Sequence, residues 1–182
     1  MRLILLMLVV VHVCFSSEIY RVPVFIQNHQ LVVDISLNRQ DNSMIVSTST
    51  SNLPRDFLPT ANYHDFNTSM KAFKSIDSGE CYIMQTSETI GMVDQVLDNI
   101  IRHNFQQHPI EQCSKADNHL LSDAEVESIA GRRIRDFCSG YKSYTSKRVR
   151  REASSLTENQ DDHIVIGQHN LFCFLCLRSS SC

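Results

Sequence analysis

The stretch Glu80-Cys81-Tyr82-Ile83-Met84-Gln85-Thr86-Ser87-Glu88-Thr89-Ile90-Gly91-Met92-Val93-Asp94-Gln95-Val96-Leu97-Asp98-Asn99-Ile100-Ile101 carries both kinds of secondary structure. Cys81-Tyr82-Ile83-Met84 is a short apolar run bounded by polar residues, which predicts a strand. From Ile90 the apolar positions Val93, Val96, Leu97, Ile100 and Ile101 recur at helical spacing. That spacing predicts an amphipathic helix with one buried stripe.

Upstream, three strand-like runs follow one another: Arg21 to Ile26, Leu31 to Leu37 and Met44 to Val46. Asn28-His29 and the polar stretch Asn38 to Ser43 separate them with turn chemistry, which predicts a small meander. Ser47 to Asn52, closed by Leu53-Pro54, reads as a linker. Beyond it the apolar period shifts, with Asp65-Phe66 followed by Met70, Phe73 and Ile76 before a turn at Asp77-Ser78-Gly79.

Downstream, His103 to Leu120 is polar, contains Pro109 and reads as a loop. A second helix is expected from Ser122, whose hydroxyl can cap the backbone while Glu125 reaches back. Its apolar face is Val126, Ile129, Ala130, Ile134 and Phe137, with Arg132, Arg133 and Arg135 off that face near the C-terminus. Cys138-Ser139-Gly140 stops it, and Tyr141 to Thr145 alternates like a final strand. The expected class is α+β: a small antiparallel sheet flanked by two helices and preceded by a strand-rich linker region.

The termini suggest processing. Arg2 precedes an apolar stretch from Leu3 to Val11, and small residues at Cys14 and Ser16 fit a signal-peptidase cut after Ser16 or Ser17. The segment is shorter than the roughly 20 apolar residues needed to cross a bilayer, so no stable membrane span is expected. Lys147-Arg148-Val149-Arg150-Arg151, followed by Glu152-Ala153-Ser154, reads as a furin-type convertase site, with Arg148, Arg150 and Arg151 at the recognised positions. In a secreted chain it divides a proregion from a C-terminal peptide. The expected organisation is a signal peptide (1–17), a strand-rich pro-segment (18–60), a folded domain (61–147), the cut site (148–151) and a cysteine-containing peptide (152–182).

A formal net charge of -3 offers no footprint for nucleic acid. Loss of Cys14 with the signal leaves Cys81, Cys113, Cys138, Cys173, Cys176 and Cys182, an even set in an oxidising compartment, so disulfides are expected. The C-terminal peptide has an acidic spacer and a sticky end, His163 to Ile166 and then Leu171 to Leu177. The second run has no charge and no Pro and would template cross-strand pairing if exposed. Gly167-Gln168-His169-Asn170 reads as the turn of a hairpin closed by disulfides. An open sheet edge could shelter such a run by strand addition.

Three segments resemble the BRICHOS superfamily of proprotein domains. His64-Asp65-Phe66-Asn67 is similar to its Asp-Phe opening, Glu80-Cys81-Tyr82-Ile83 to its Cys-Tyr-Val/Ile strand, and Ile134-Arg135-Asp136-Phe137-Cys138 to the helix ending in its second cysteine. The cut site resembles that of the Bri integral membrane proteins, and the cleavable signal resembles that of the gastrokines. The resemblance implies a Cys81 to Cys138 disulfide, a pH-sensing role for Asp65, and an anti-amyloid chaperone whose client is the chain's own Ile164 to Leu177. The resemblance also allows other β-prone peptides as clients, and a furin-type convertase is the expected processing partner. The alternative is a precursor of a bioactive signalling or host-defence peptide, its proregion only a folding aid. Cys113 has no partner in the family core; it pairs with a C-terminal cysteine, stays free or bridges two molecules.

Other chemistry is weak. His103, His108, Cys113 and His119 crowd one loop without the spacing of a zinc finger. Cys173-Phe174-Leu175-Cys176 lacks the βαβ context of redox motifs. Neither a cofactor nor enzyme activity is expected. Asn67-Thr68-Ser69 is a glycosylation sequon.

Overall fold

A computed structural model describes residues 17–26, 29–48, 59–103, 110–149, 164–169 and 172–178. The expected meander is present as β1 (Ser17–Ile26), β2 (His29–Asn38) and β3 (Ser43–Thr48), paired antiparallel in sequence order. Period-2 alternation explains its burial: Val33, Ile35 and Leu37 are fully buried, while Val32 on the opposite face is partly exposed. Ser47 and Thr48, assigned to the linker, are instead the last rungs of β3; positions 49–58 lie outside the described residues.

The region where the apolar period shifts is a pair of strands followed by the anticipated third: β4 (Thr60–Asp65), β5 (Met70–Ser75) and β6 (Glu80–Gln85). They join as antiparallel hairpins, and Gly79 ends the second turn at φ +69°, a conformation glycine tolerates best. Alternation is hidden in β5 because both of its faces are covered. Met70, Lys71, Ala72 and Phe73 are all buried, so the strand shows no polar side.

The helix α1 (Ile90–His103) forms where its spacing predicts, although Ile101, expected on the buried stripe, is exposed. Val93 and Leu97 bury completely or nearly so, and Val96, Ile90 and Ile100 pack beside them. Thr89 caps it, its hydroxyl accepting from Met92 N at 3.3 Å.

Other expectations fail. The polar stretch read as a loop from His103 to Leu120 contains β7 (Ile110–Leu121), a long strand flanked by strands on both sides. Backbone ladders on two edges satisfy it without an apolar pattern, and an irregularity between Ala116 and Leu120 accommodates its polar end. The single helix expected through Phe137 is two: α2 (Asp123–Ala130) and α3 (Arg132–Cys138). Gly131 divides them at φ +85° and ψ 166°, outside helical geometry and strained for any L side chain. The Ser122/Glu125 capping box is complete, and the Ser122 backbone and hydroxyl hold the Glu125 carboxyl down at about 2. Ile129, expected on the apolar face, is nearly half exposed.

After α3, β8 (Lys142–Val149) runs parallel to β6, so the final strand is longer than expected and the sheet is not wholly antiparallel. With β9 (Ile164–His169) and β10 (Phe172–Arg178) the strand order is β1-β2-β3-β4-β5-β6-β8-β7-β9-β10. The α+β class stands, with three described helices and a much larger sheet than anticipated.

The register sorts the two cores onto opposite faces. Ile35, Val46, Asn62, Phe73 and Tyr82 form one cross-strand row, and Tyr63, Ala72 and Ile83 the next row on the other face. α1 covers the first face over β1–β3. α2 and α3 cover the second over β5 and β6, where Val126, Ala130 and Ile134 meet Met70, Ala72 and Ile83. Lys74 sits 4.5 and 4.3 Å from the Phe137 and Tyr141 rings, adding cation–π contacts there.

Candidate functional site

The features singled out in the sequence fall in separate places. Cys81 on β6 and Cys138 at the end of α3 are disulfide-bonded, with Cα atoms 5.7 Å apart. The bond staples α3 to the sheet, and closing a loop of 57 residues contributes about 4 kcal/mol in the chain-entropy picture.

Asp65 ends β4 and is buried. Its Oδ1 accepts from Asn67 N at 3.0 Å and its backbone carbonyl from Thr68 Oγ1 at 3.4 Å, so it organises the turn into β5. Asn67 is exposed, but its amide is engaged: Nδ2 donates to Asp41 O, and Oδ1 accepts from Asn42 Nδ2, both at 2.9 Å. Attaching a glycan to Nδ2 would disturb this bridge between two turns. Arg133 closes on the same Asp41 with two hydrogen bonds, 2.6 and 2.7 Å.

Arg148 is the penultimate residue of β8, where its backbone pairs with Ser114 of β7; Arg150 and Arg151 lie outside the described residues. The bond after Arg151, where the cut is expected, therefore falls in the chain between β8 and β9. The sticky C-terminal run returns to the sheet. β9 pairs antiparallel with β7, Ile110 opposite Gln168 through Ser114 opposite Ile164, and β10 pairs with β9. β10 also passes near β3 and β4.

The hairpin differs from the expected one in two respects. Its strands run through the predicted turn, since His169 already pairs with Phe172, and Gly167 sits where the register shifts between Cys173 and Leu175. Glycine inside a strand commonly marks such a bulge. A disulfide cannot close the hairpin either, because β9 contains no cysteine. Cys113 pairs with Val165 on β9, and β9 separates it from Cys173 and Cys176 on β10. Two strand spacings keep them at least about 9–10 Å apart, beyond the roughly 7 Å that a disulfide spans. Within this pairing Cys182, which lies outside the described residues, is the remaining intrachain candidate.

A cluster that the sequence reading missed sits on the α1 face of the sheet. His64 on β4 is fully buried, and Lys71 stands directly opposite it on β5. Glu88, just before the α1 cap, places Oε2 2.7 Å from His64 Nδ1 and Oε1 3.2 Å from Lys71 Nζ. The His64 contact is close but poorly aligned, leaving both ring nitrogens and Glu88 Oε2 without an aligned hydrogen bond among the described residues. Burial pushes the His64 pKa down, outweighing Glu88. Burial pushes Glu88 up, but its basic neighbours His64 and Lys71 prevail and hold it at about 2. A neutral His64 supplies less of that pull, so the arrangement that stands is an ionised Glu88 against Lys71 with a neutral imidazole beside it. The available sequence signals were a lysine inside the run Met70-Lys71-Ala72-Phe73 and an acid one residue before the helix cap.

Among the described residues no group of acidic, histidine or cysteine side chains is placed to hold a metal ion, and no helix is long and apolar enough to cross a membrane. His119 instead lies 3.4 Å from Glu125 on the surface. No family model, curated protein or solved structure matches the chain.

Proposed function

We propose that this is a secreted proprotein in which a BRICHOS-like domain shelters its own β-prone C-terminal segment, which a furin-type convertase separates by cutting after Arg151. The observation that carries the reading is the antiparallel pairing of β9 with the outer edge of β7. Strand addition there satisfies the backbone of a sequence that would otherwise pair with other copies of itself. The order β8-β7-β9 adds weight, because β7 lies between the strand leading to the cut and the strand following it. A cut within 150–163 removes the covalent connection and leaves every β7–β9 rung in place.

The cysteine layout agrees with this division. The Cys81–Cys138 bond lies wholly on the proregion side of the proposed cut. The separated peptide would then stay by strand pairing or through a Cys113–Cys182 bond.

Intact and disulfide-mapped mass spectrometry of the secreted chain, with and without a convertase inhibitor and before and after reduction, tests the reading. A fragment starting at Glu152 that vanishes with the inhibitor is expected. Secretion of only the uncut chain would make the C-terminal hairpin an ordinary part of one extracellular domain.

A further inference from the structure

The His64–Glu88–Lys71 cluster lies between two kinds of structure. His64 and Lys71 belong to β4 and β5, each held by ladders along both edges. Glu88 belongs to the connection 86–89, tied down by Thr86 N to Ser69 O at 2.9 Å and by Glu88 N to Thr86 Oγ1 at 3.2 Å. The carboxylate therefore pins the start of α1 to a rigid floor. α1 has one further described ionic anchor: Arg39, after β2, grips Asp94 with two hydrogen bonds, 3.0 and 2.9 Å, and also holds Glu18.

We propose that this cluster is an acid-sensitive latch, in which proton uptake by His64 frees the start of α1 from the sheet. Among the described residues the ionisable groups facing His64 are Glu88 and Lys71. β3 contributes Met44 opposite it, the turn contributes the Phe66 ring at 6.1 Å, and β10, which runs near β4, carries Cys173, Cys176 and Arg178. A proton on His64 sets a second buried cation beside Lys71, with one carboxylate between them. An imidazolium donates from both ring nitrogens; Nδ1 faces Glu88 Oε2 off line at 2.7 Å and Nε2 has no aligned acceptor among the described residues, so the charged ring must reach water. The strands cannot part, so the connection carrying Glu88 moves, and with it the first turn of α1. That movement uncovers the apolar stripe of Val33, Ile35, Leu37, Met44 and Val46 while the disulfide-stapled face stays closed.

The sign follows from the two states of His64. Its folded pKa lies below the ordinary 6.5, so the opened state binds more protons as the pH falls past 6.5, and acid favours opening. Glu88 adds a separate loss at lower pH, from its ordinary 4.5 downward.

The test is an NMR titration of the full chain downward from neutral pH, following the His64 ring, the methyls of Val93 and Leu97, and those of Val126 and Ile134. The latch requires the Val93 and Leu97 signals to move with the His64 midpoint, below 6.5, while Val126 and Ile134 hold still. Stationary α1 signals, or simultaneous movement of both sets, overturns it. His64→Gln should remove that step and keep the one tied to Glu88; a variant with the step unchanged also overturns the latch. If His64→Gln does not fold, the titration of the unmutated chain decides alone.

Discussion

The two faces of the sheet are closed by helices in different ways. Over β5 and β6, α2 and α3 are joined covalently to the floor by Cys81–Cys138, and the interior there is apolar: Met70, Ala72, Ile83, Val126, Ala130 and Ile134. Over β1–β3, α1 rests on a comparable apolar stripe but is fastened by ions, exposed at Arg39–Asp94 and buried at Glu88. One lid is therefore held covalently until the disulfide is reduced. The other answers to protons while the disulfide is intact.

The largest effect expected on this contrast comes from removing the staple. Cys81→Ser with Cys138→Ser should cost about 4 kcal/mol, read as a lower denaturant midpoint, with α3 protection lost before α1 protection. A loss confined to α1 would show that the helices are coupled the other way. Truncating a core side chain should cost somewhat less. Ile134→Ala and Ile35→Ala each remove a fully buried side chain and should cost about 3 kcal/mol, the first loosening α2 and α3 and the second α1. Amide exchange distinguishes the two patterns.

Acid comes next. Between pH 6.5 and the depressed His64 pKa, stability should fall by at most about 1.4 kcal/mol per pH unit, one proton's worth, and His64→Gln should flatten that slope. Stability unchanged below pH 6.5 in the unmutated chain would remove the contrast between the lids. The smallest effect belongs to the exposed anchor. Arg39→Ala should cost under about 1 kcal/mol, because the Arg39 side chain is 44% exposed, and the cost should shrink in high salt. A salt-independent loss would mean that packing of the Arg39 stem, rather than charge, holds α1.

The elements legible in the sequence were those whose own pattern sufficed. The alternation of Val33, Ile35 and Leu37, the helical stripe of Val93 and Leu97, and the Ser122/Glu125 box each appear where their spacing puts them. β5 was obscured because both faces are buried, and β7 because its sequence carries no apolar alternation to mark the ladders it makes on both edges. The break at Gly131 was marked only by a glycine inside an otherwise helical pattern. Of the site residues, Cys81 and Cys138 came together as the resemblance implied. His64, Lys71 and Glu88 escaped because their relation is tertiary: two are opposed across a ladder, and the third enters from a connection without periodicity.

The account turns on β7 holding the C-terminal run as an added strand. Amide exchange of the full chain against a Val165→Pro variant tests this directly, since β9 lies between β7 and β10 and a proline at Val165 removes a ladder donor. The account predicts that residues 110–114 of β7 lose most of their protection while β4–β6 keep theirs, and that the variant aggregates sooner through Phe172–Leu177. Unchanged protection at 110–114 would contradict it, because the run would then not be held by β7.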